Sequence, residues 1–379
     1  MKLFKSLLVA PATLGLLAPV AATANEVTIN DFNPAEELAI TNSRVDGLEA
    51  RLNNFEAGSF SETTTASFSV DFVLGSTDTD DGSSTTNDLD DSIMAGYGFQ
   101  IDLNTSFTGE DSLDISLDAG SSSGAGYAEF DANNTGDFLK VDGVSYTFPL
   151  GGATVFVGDN TDGSMLFSTA CVYGGPSNTL DDCANVNAGI TGGAISAGAS
   201  YDFGNGFTVA TGIQTGDDGD GVSTGQELLT EETLDGVALN AAYTGESYGV
   251  SVTYSSVETS TTEEDTAVAL NGYYTPEGLP SISVGYETVD IGGAAATVDE
   301  KESFFTGLTW DEVGPGSLGV AVGYSNIVEG SDEEYMYEAY YEYPVNDGMT
   351  ITPLVFVKEV AAAGKDDTTG VMVKTSFSF

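Results

Sequence analysis

Residues 370–379 read GVMVKTSFSF and alternate without a break. Val371, Val373, Thr375, Phe377 and Phe379 fall on one face, and Met372, Lys374, Ser376 and Ser378 on the other. A period of two is that of a β-strand, whose successive side chains leave opposite faces of the sheet. One apolar face and one polar face fit a wall with lipid on one side and water on the other. The same alternation runs back through the chain. Phe68, Val70, Phe72 and Leu74 interleave with Ser67, Ser69 and Asp71, and Tyr97, Phe99, Ile101 and Leu103 interleave with Gln100, Asp102 and Asn104. Leu113, Ile115 and Leu117 interleave with Asp114, Ser116 and Asp118. Further stretches lie near 138–148, 153–159, 195–203, 207–213, 237–243, 248–254, 266–275, 281–289, 303–311, 317–325, 334–343 and 349–357. With 370–379 they predict sixteen strands.

The connections alternate in length. Short ones fall near 105–111, 149–152, 204–206, 245–247, 276–280, 312–316 and 344–348. Long ones fall near 75–92, 120–137, 160–193, 216–235, 258–265, 290–302, 326–333 and 358–369. An up-and-down transmembrane barrel has tight turns at one end and long loops at the other. Phe107, Phe148, Phe203, Phe207, Tyr243, Tyr248, Tyr274, Trp310 and Tyr343 gather where strands meet the short turns, as an aromatic girdle at lipid headgroups would. The fold class is therefore all-β, a sixteen-stranded antiparallel transmembrane β-barrel spanning 59–379, preceded by a short N-terminal helix.

Composition narrows function. The 379 residues hold 59 acids, nine bases and no histidine, for a net charge of −50. Nucleic-acid binding needs cations against phosphates and is excluded. Ser-His-Asp hydrolysis, histidine metal sites and histidine-ligated haem all need an imidazole. No catalytic residues, cofactor or metal are expected.

Residues 1–24 read as a Sec-type signal peptide: Lys2 and Lys5, an apolar run from Leu7 to Val20, then Ala22-Thr23-Ala24. Removing the two lysines leaves seven bases against 59 acids, a mature charge of −52. Residues 25–58 carry a helical pattern, with Leu38, Val45 and Leu52 seven apart and Thr41, Leu48 and Phe55 in the second seam. Two roles stand open: docking on the chain's own barrel, or oligomerisation in the periplasm. Cys171 and Cys183 form a disulfide in an oxidising compartment, or remain two free thiols.

Several segments resemble a known family: NTSFTGED (104–111), FFTGLTW (304–310), SLGVAVGY (317–324) and YEAYYEYPVNDGMTITPLVFV (337–357). They are similar to the cyanobacterial outer-membrane porins related to carbohydrate-selective porins. That resemblance implies a homotrimer in the cell outer membrane, with an inward-folded third loop and sugars as one substrate class. It also implies outer-membrane lipid, lipopolysaccharide and the barrel-assembly machinery as partners. Phe377 and the final Phe379 resemble the assembly signal of such barrels. Many of these porins carry a surface-layer homology domain before the helix. The stretch 25–58 is too short for one, as in the compact forms of marine picocyanobacteria.

A sixteen-stranded barrel leaves an aqueous channel. Loop 160–193, with Asp162, Cys171, Asp181, Asp182 and Cys183, is the expected constriction, or else a surface loop stapled against proteolysis. Strand parity points Asp71, Gln100, Asp102, Asn104, Asp114, Asp118, Glu338, Glu342, Lys358 and Lys374 into the lumen. Lys140 and Asp142 join them only if a bulge near Gly143 resets the register. Tyr340 is a candidate sugar contact or plain pore lining. From the helix to Phe379 there are five bases: Lys140, Lys301, Lys358, Lys365 and Lys374. Anion pores line themselves with Arg and Lys, so a cation-preferring diffusion channel is expected. The alternative is a structural protein coupling membrane to cell wall through 25–58. Most acids cluster in loops, as at Asp217, Asp218 and Asp220, where they either bridge divalent cations to lipopolysaccharide or stay solvated in salt water.

Overall fold

The computed structural model describes residues 64–379 except 79–92, 122–128, 130–131, 133–134, 193–194, 216–233, 261–262, 294–297 and 362–365. The signal peptide, the 25–58 helix, Lys365 and the acids Asp217, Asp218 and Asp220 lie outside the described residues.

The sixteen strands are β1 (Thr64–Asp78), β2 (Met94–Thr105), β3 (Ser112–Gly120), β4 (Lys140–Leu150), β5 (Ala153–Asp159), β6 (Ile195–Asp202), β7 (Phe207–Thr215) and β8 (Asp235–Thr244), continuing with β9 (Tyr248–Ser260), β10 (Glu263–Tyr274), β11 (Ser281–Asp290), β12 (Glu300–Val313), β13 (Gly316–Val328), β14 (Met336–Asn346), β15 (Met349–Lys358) and β16 (Thr368–Ser378). Each pairs antiparallel with its sequence neighbours, and β1 pairs with β16 to close the barrel. Closure leaves no edge strand whose backbone groups would sit unpaired in lipid. The closing seam extends past β16: Phe68 and Phe379 exchange two backbone hydrogen bonds of 2.9 and 3.0 Å, and their rings stack at 5.5 Å. Phe377 meets Phe72 edge-on at 6.1 Å.

Alternation decides which face looks inward. On β1, Phe72 is 53% exposed while its neighbour Val73 is 2% exposed. Leu239, Val250, Val252, Leu270, Val284, Val355 and Val371 likewise stand outside. Ser251, Thr253, Ser255, Asn271, Ser283 and Glu287 are buried inside. An outer surface of aliphatic side chains and a polar interior is the inverse of a water-soluble barrel and suits lipid. At the short-turn end Phe107, Phe203, Phe207, Tyr248, Tyr274 and Tyr343 are exposed, and rings pair as Tyr201–Phe203, Phe203–Phe207 and Tyr243–Tyr248.

One loop departs from expectation. Residues 258–265 read as a long connection, yet β9 runs to Ser260 and β10 begins at Glu263, with a bulge at Glu263/Glu264. The polar composition misled. Val257 and Thr259 are good strand formers on a hairpin that continues past the apolar band.

Candidate functional site

The segment between β5 and β6, over residues 160–192, folds into the barrel and lies along its inner wall. Its attachment follows the strands in order. Gly163 N donates to Gln214 Oε1 of β7 (3.0 Å), Ser168 N to Asn240 Oδ1 of β8 (3.1 Å) and Ala170 N to Ser251 Oγ of β9 (2.9 Å). Val172 N donates to Ser283 Oγ of β11 (3.0 Å), and the Tyr173 hydroxyl to Glu338 Oε1 of β14 (2.6 Å). On the return limb, Asn271 Nδ2 of β10 donates to Cys183 O at 2.7 Å. Glu287 of β11, 0% exposed, accepts from Asn187 N (2.8 Å), Ala188 N (2.7 Å) and Asn187 Nδ2 (2.6 Å). Buried backbone donors need partners, and the inward polar side chains of β7–β14 supply them.

Cys171 and Cys183 are joined as a disulfide that closes the loop tip. The tip is also glued by packing. Tyr173, Leu180, Cys183 and Ala184 share one buried cluster with Val73, Met94, Phe305, Met336, Leu354, Phe356 and Met372. Burying each large apolar side chain contributes about 1.5–3 kcal/mol. Two glycines permit the close approach. A Cβ at Gly212 would lie 1.8 Å from Gly163 O, and one at Gly285 would lie 1.8 Å from Cys183 O. Tyr340 is 4% exposed and meets Tyr173 edge-on at 5.7 Å, so it packs behind the loop and does not face the channel.

The wall of β2–β4 carries the other set. Asp102 accepts from Gln100 Nε2 (2.8 Å) and Ser116 Oγ (2.6 Å). Asn104 Nδ2 bonds Ser112 Oγ and Asp114, and Ser112 Oγ donates to Asp114 Oδ2 at 2.6 Å. Asp118 stands opposite Gln100 and Lys140. The register of β3 on β4 slips between Ser116/Gly143 and Leu117/Val141, which leaves Asp142 as the extra residue of a bulge. The slip puts Lys140 on the same face as Asp118. Asn160 Nδ2 holds the bulge by bonding Val141 O (3.1 Å) and Asp142 O (2.8 Å). Asp114, Asp142 and Asp162 line one cleft of about 470 Å³ with Ser145, Met165 and Gly192. Asp162 Oδ1 accepts from Gly192 N at 2.8 Å, which ties the two ends of the loop together.

The remaining positions are distributed. Asp71 of β1 pairs with Gly98 and Ser376, and Lys374 of β16 stands opposite Val73. Glu342 is exposed near the short-turn end of β14. Glu338 faces inward but is buried beneath Tyr173. Asp181 and Asp182 sit in the turns of the loop tip, and Lys358 lies 2.7 Å from Glu129 Oε1.

No protein-family model matches the chain. An uncharacterized protein of Nostoc sp. strain PCC 7120 is 26% identical over 434 residues, covering 94% of this chain and 74% of its own length. Among solved structures, Pseudomonas putida OprB superposes with a TM-score of 0.57 at 12% identity, over 84% of this chain and 94% of that one. A mutant of the Rhodobacter blastica porin gives a TM-score of 0.52 at 10% identity, over 83% of this chain and all of that one (100%). The fold is a porin fold. At such identities the likeness is one of architecture.

Within that porin fold, the anchors Gln214, Asn240, Asn271 and Glu287 were not singled out from sequence. Their signal was a polar residue at an inward position between outward neighbours, as Asn240 lies between Leu239 and Ala241. Glu129, between β3 and β4, is 7% exposed and carried no such mark.

Proposed function

We propose that the chain is a passive diffusion channel of the bacterial outer membrane for ions and small hydrophilic solutes, and that it prefers cations. The carrying observation is the cleft between the β2–β4 wall and the base of the inward loop, where Asp114 and Asp142 of the wall stand with Asp162 of the loop. Carboxylates on both sides of a passage through a low-dielectric wall concentrate cations and repel anions. Two of the inward bases are engaged: Lys358 with Glu129, and Lys301 with Asn187 Oδ1 at 3.0 Å. Glu129 offsets the charge of Lys358, which supports the sign of the preference, whereas Lys301 beside the neutral Asn187 keeps its charge. No step of this role needs a nucleophile or a general base.

Homotrimer assembly, insertion by the barrel-assembly machinery and contact with lipopolysaccharide follow from the resemblance to outer-membrane porins. Sugars belong to the same resemblance, and the burial of Tyr340 removes one aromatic contact they would have used. The test is the reversal potential of purified protein in planar bilayers across a potassium chloride gradient. A potential of cation-selective sign is expected, and an anion-selective one refutes the reading.

A further inference from the structure

The inward loop is not held by the barrel wall alone. The connection between β3 and β4 also reaches it. Its returning limb is pinned at the barrel rim: Thr135 N and Asp137 N donate to Gly120 O, Gly120 N donates to Thr135 Oγ1 at 2.9 Å, and the Tyr97 hydroxyl donates to Asp137 Oδ1 at 2.9 Å. Ala132 of the same connection packs against the buried cluster that contains Tyr173, Leu180 and Cys183. Glu129 goes furthest. Its Oε1 accepts from Lys358 Nζ at 2.7 Å and from Thr179 Oγ1 at 2.7 Å, and its Oε2 accepts from Thr179 N at 3.0 Å. Lys358 Nζ closes the triangle on Thr179 Oγ1 at 3.1 Å.

We infer that Glu129 is a positioning residue of the constriction, clasping the disulfide-closed tip of one loop from a second loop and from β15 at once. Thr179 lies six residues after the wall anchor at Tyr173 and four before that at Cys183, beside the buried Leu180. A carboxylate with little exposure to water, shared between a cation and a backbone amide, makes stronger bonds than neutral groups do. It fixes a tip that a disulfide alone makes compact but does not locate. Lys358 thereby serves loop placement and contributes no free positive charge to the passage. This rests on the channel reading above, and the test separates the two.

Full-length wild type, E129A, E129Q and T179V are compared after their folding is checked by heat-modifiable gel mobility. Amide exchange at Thr179 reads the clasp without any conduction. E129A is expected to speed that exchange at least tenfold, while the Gly245 amide in a distant turn is unchanged. In planar bilayers E129A raises open-channel current noise several-fold. In liposome swelling it raises the rate for raffinose relative to glucose at least twofold. E129Q keeps one acceptor oxygen and falls between E129A and wild type. Should E129A not assemble, T179V removes the hydroxyl from the same triangle and is expected to raise the noise and the raffinose ratio. Unchanged Thr179 exchange in folded E129A, or noise and solute ratios in folded T179V equal to wild type, overturns the clasp. A wild type that does not conduct overturns the channel reading instead, with Thr179 exchange still deciding the clasp.

Discussion

Replacing Glu287 by alanine isolates the strongest tie between the inward loop and the barrel. The carboxylate accepts from two backbone amides and one side-chain amide at 2.6–2.8 Å, and it is wholly buried. A buried donor left without its partner costs about 1–3 kcal/mol. Water from the lumen will reach part of the vacated space, so the lower end applies, about 1 kcal/mol for each donor. Three donors give about 3 kcal/mol in favour of the undocked limb, on the order of a 100-fold rise in its population. Asn187 keeps three other holds, from Lys301 Nζ on its Oδ1, from Ser255 Oγ on its carbonyl and from its own Nδ2 to Asn326 Oδ1, so the limb loosens without leaving the wall. Amide exchange under conditions where rate follows the open population reads this directly. The amides of Asn187 and Ala188 should exchange on the order of 100-fold faster in E287A than in wild type. E287Q retains an oxygen for the two backbone donors and should show about a tenfold effect. A change below about threefold at both amides, in a barrel that still folds, would refute the assignment of Glu287 as the anchor.

Other predictions follow from the same geometry. D142N and D162N each remove a charge from the cleft. For an ion passing about 8 Å away at an effective dielectric near 40, that charge would favour a cation and disfavour an anion by about 1 kcal/mol each, so its loss should lower cation over anion permeability by up to about 30-fold at low salt; an unchanged reversal potential in both variants counts against the cleft as the selective site. The double variant C171S/C183S loses about 3 kcal/mol of loop-closure stabilisation, to be read as faster proteolysis within 171–183, and equal cleavage rates would show the disulfide to be dispensable there. Asp111, in the turn between β2 and β3, is held well below the usual carboxylate range by the Tyr146 hydroxyl first, and by the Thr108 amide and Ser106 hydroxyl. Its folded value lies below its unfolded one, so its contribution is complete above about pH 4 and drains as pH falls further. D111N should therefore be less stable than wild type to urea at neutral pH, with the gap closing as pH is lowered from about 4; a gap constant with pH would dismiss the assignment.

The barrel was legible in sequence because its two solvents impose opposite demands on alternate residues. Val371 and Met372 are neighbours, one 60% exposed and the other fully buried, and the period of two places each without knowledge of any partner. The bulge at Asp142 was legible as a condition: Lys140 could face inward only if the register slipped near Gly143, and it does slip there. The disulfide was legible as one of two outcomes. The loop's seat was not. Glu129 meets Lys358 across 229 positions, and nothing local marks either as the other's partner. Gly212 and Gly285 look like ordinary strand glycines until the backbone of another segment is laid upon them. Glu338 was read as facing the lumen; the structure buries it beneath Tyr173, and parity does not distinguish the space behind the loop from the open passage.

Asp114 and Asp142 of the barrel wall and Asp162 of the loop line one cleft. Like charges facing each other cancel much of the field directed across a passage and leave the potential along it deep. A solute with separated positive and negative ends then gains little by turning, because no transverse gradient is there to align it. Sign of charge, more than dipole moment, becomes the property sorted. A zwitterionic amino acid should therefore pass like a neutral molecule of its size, and a monovalent amine of the same size should pass faster.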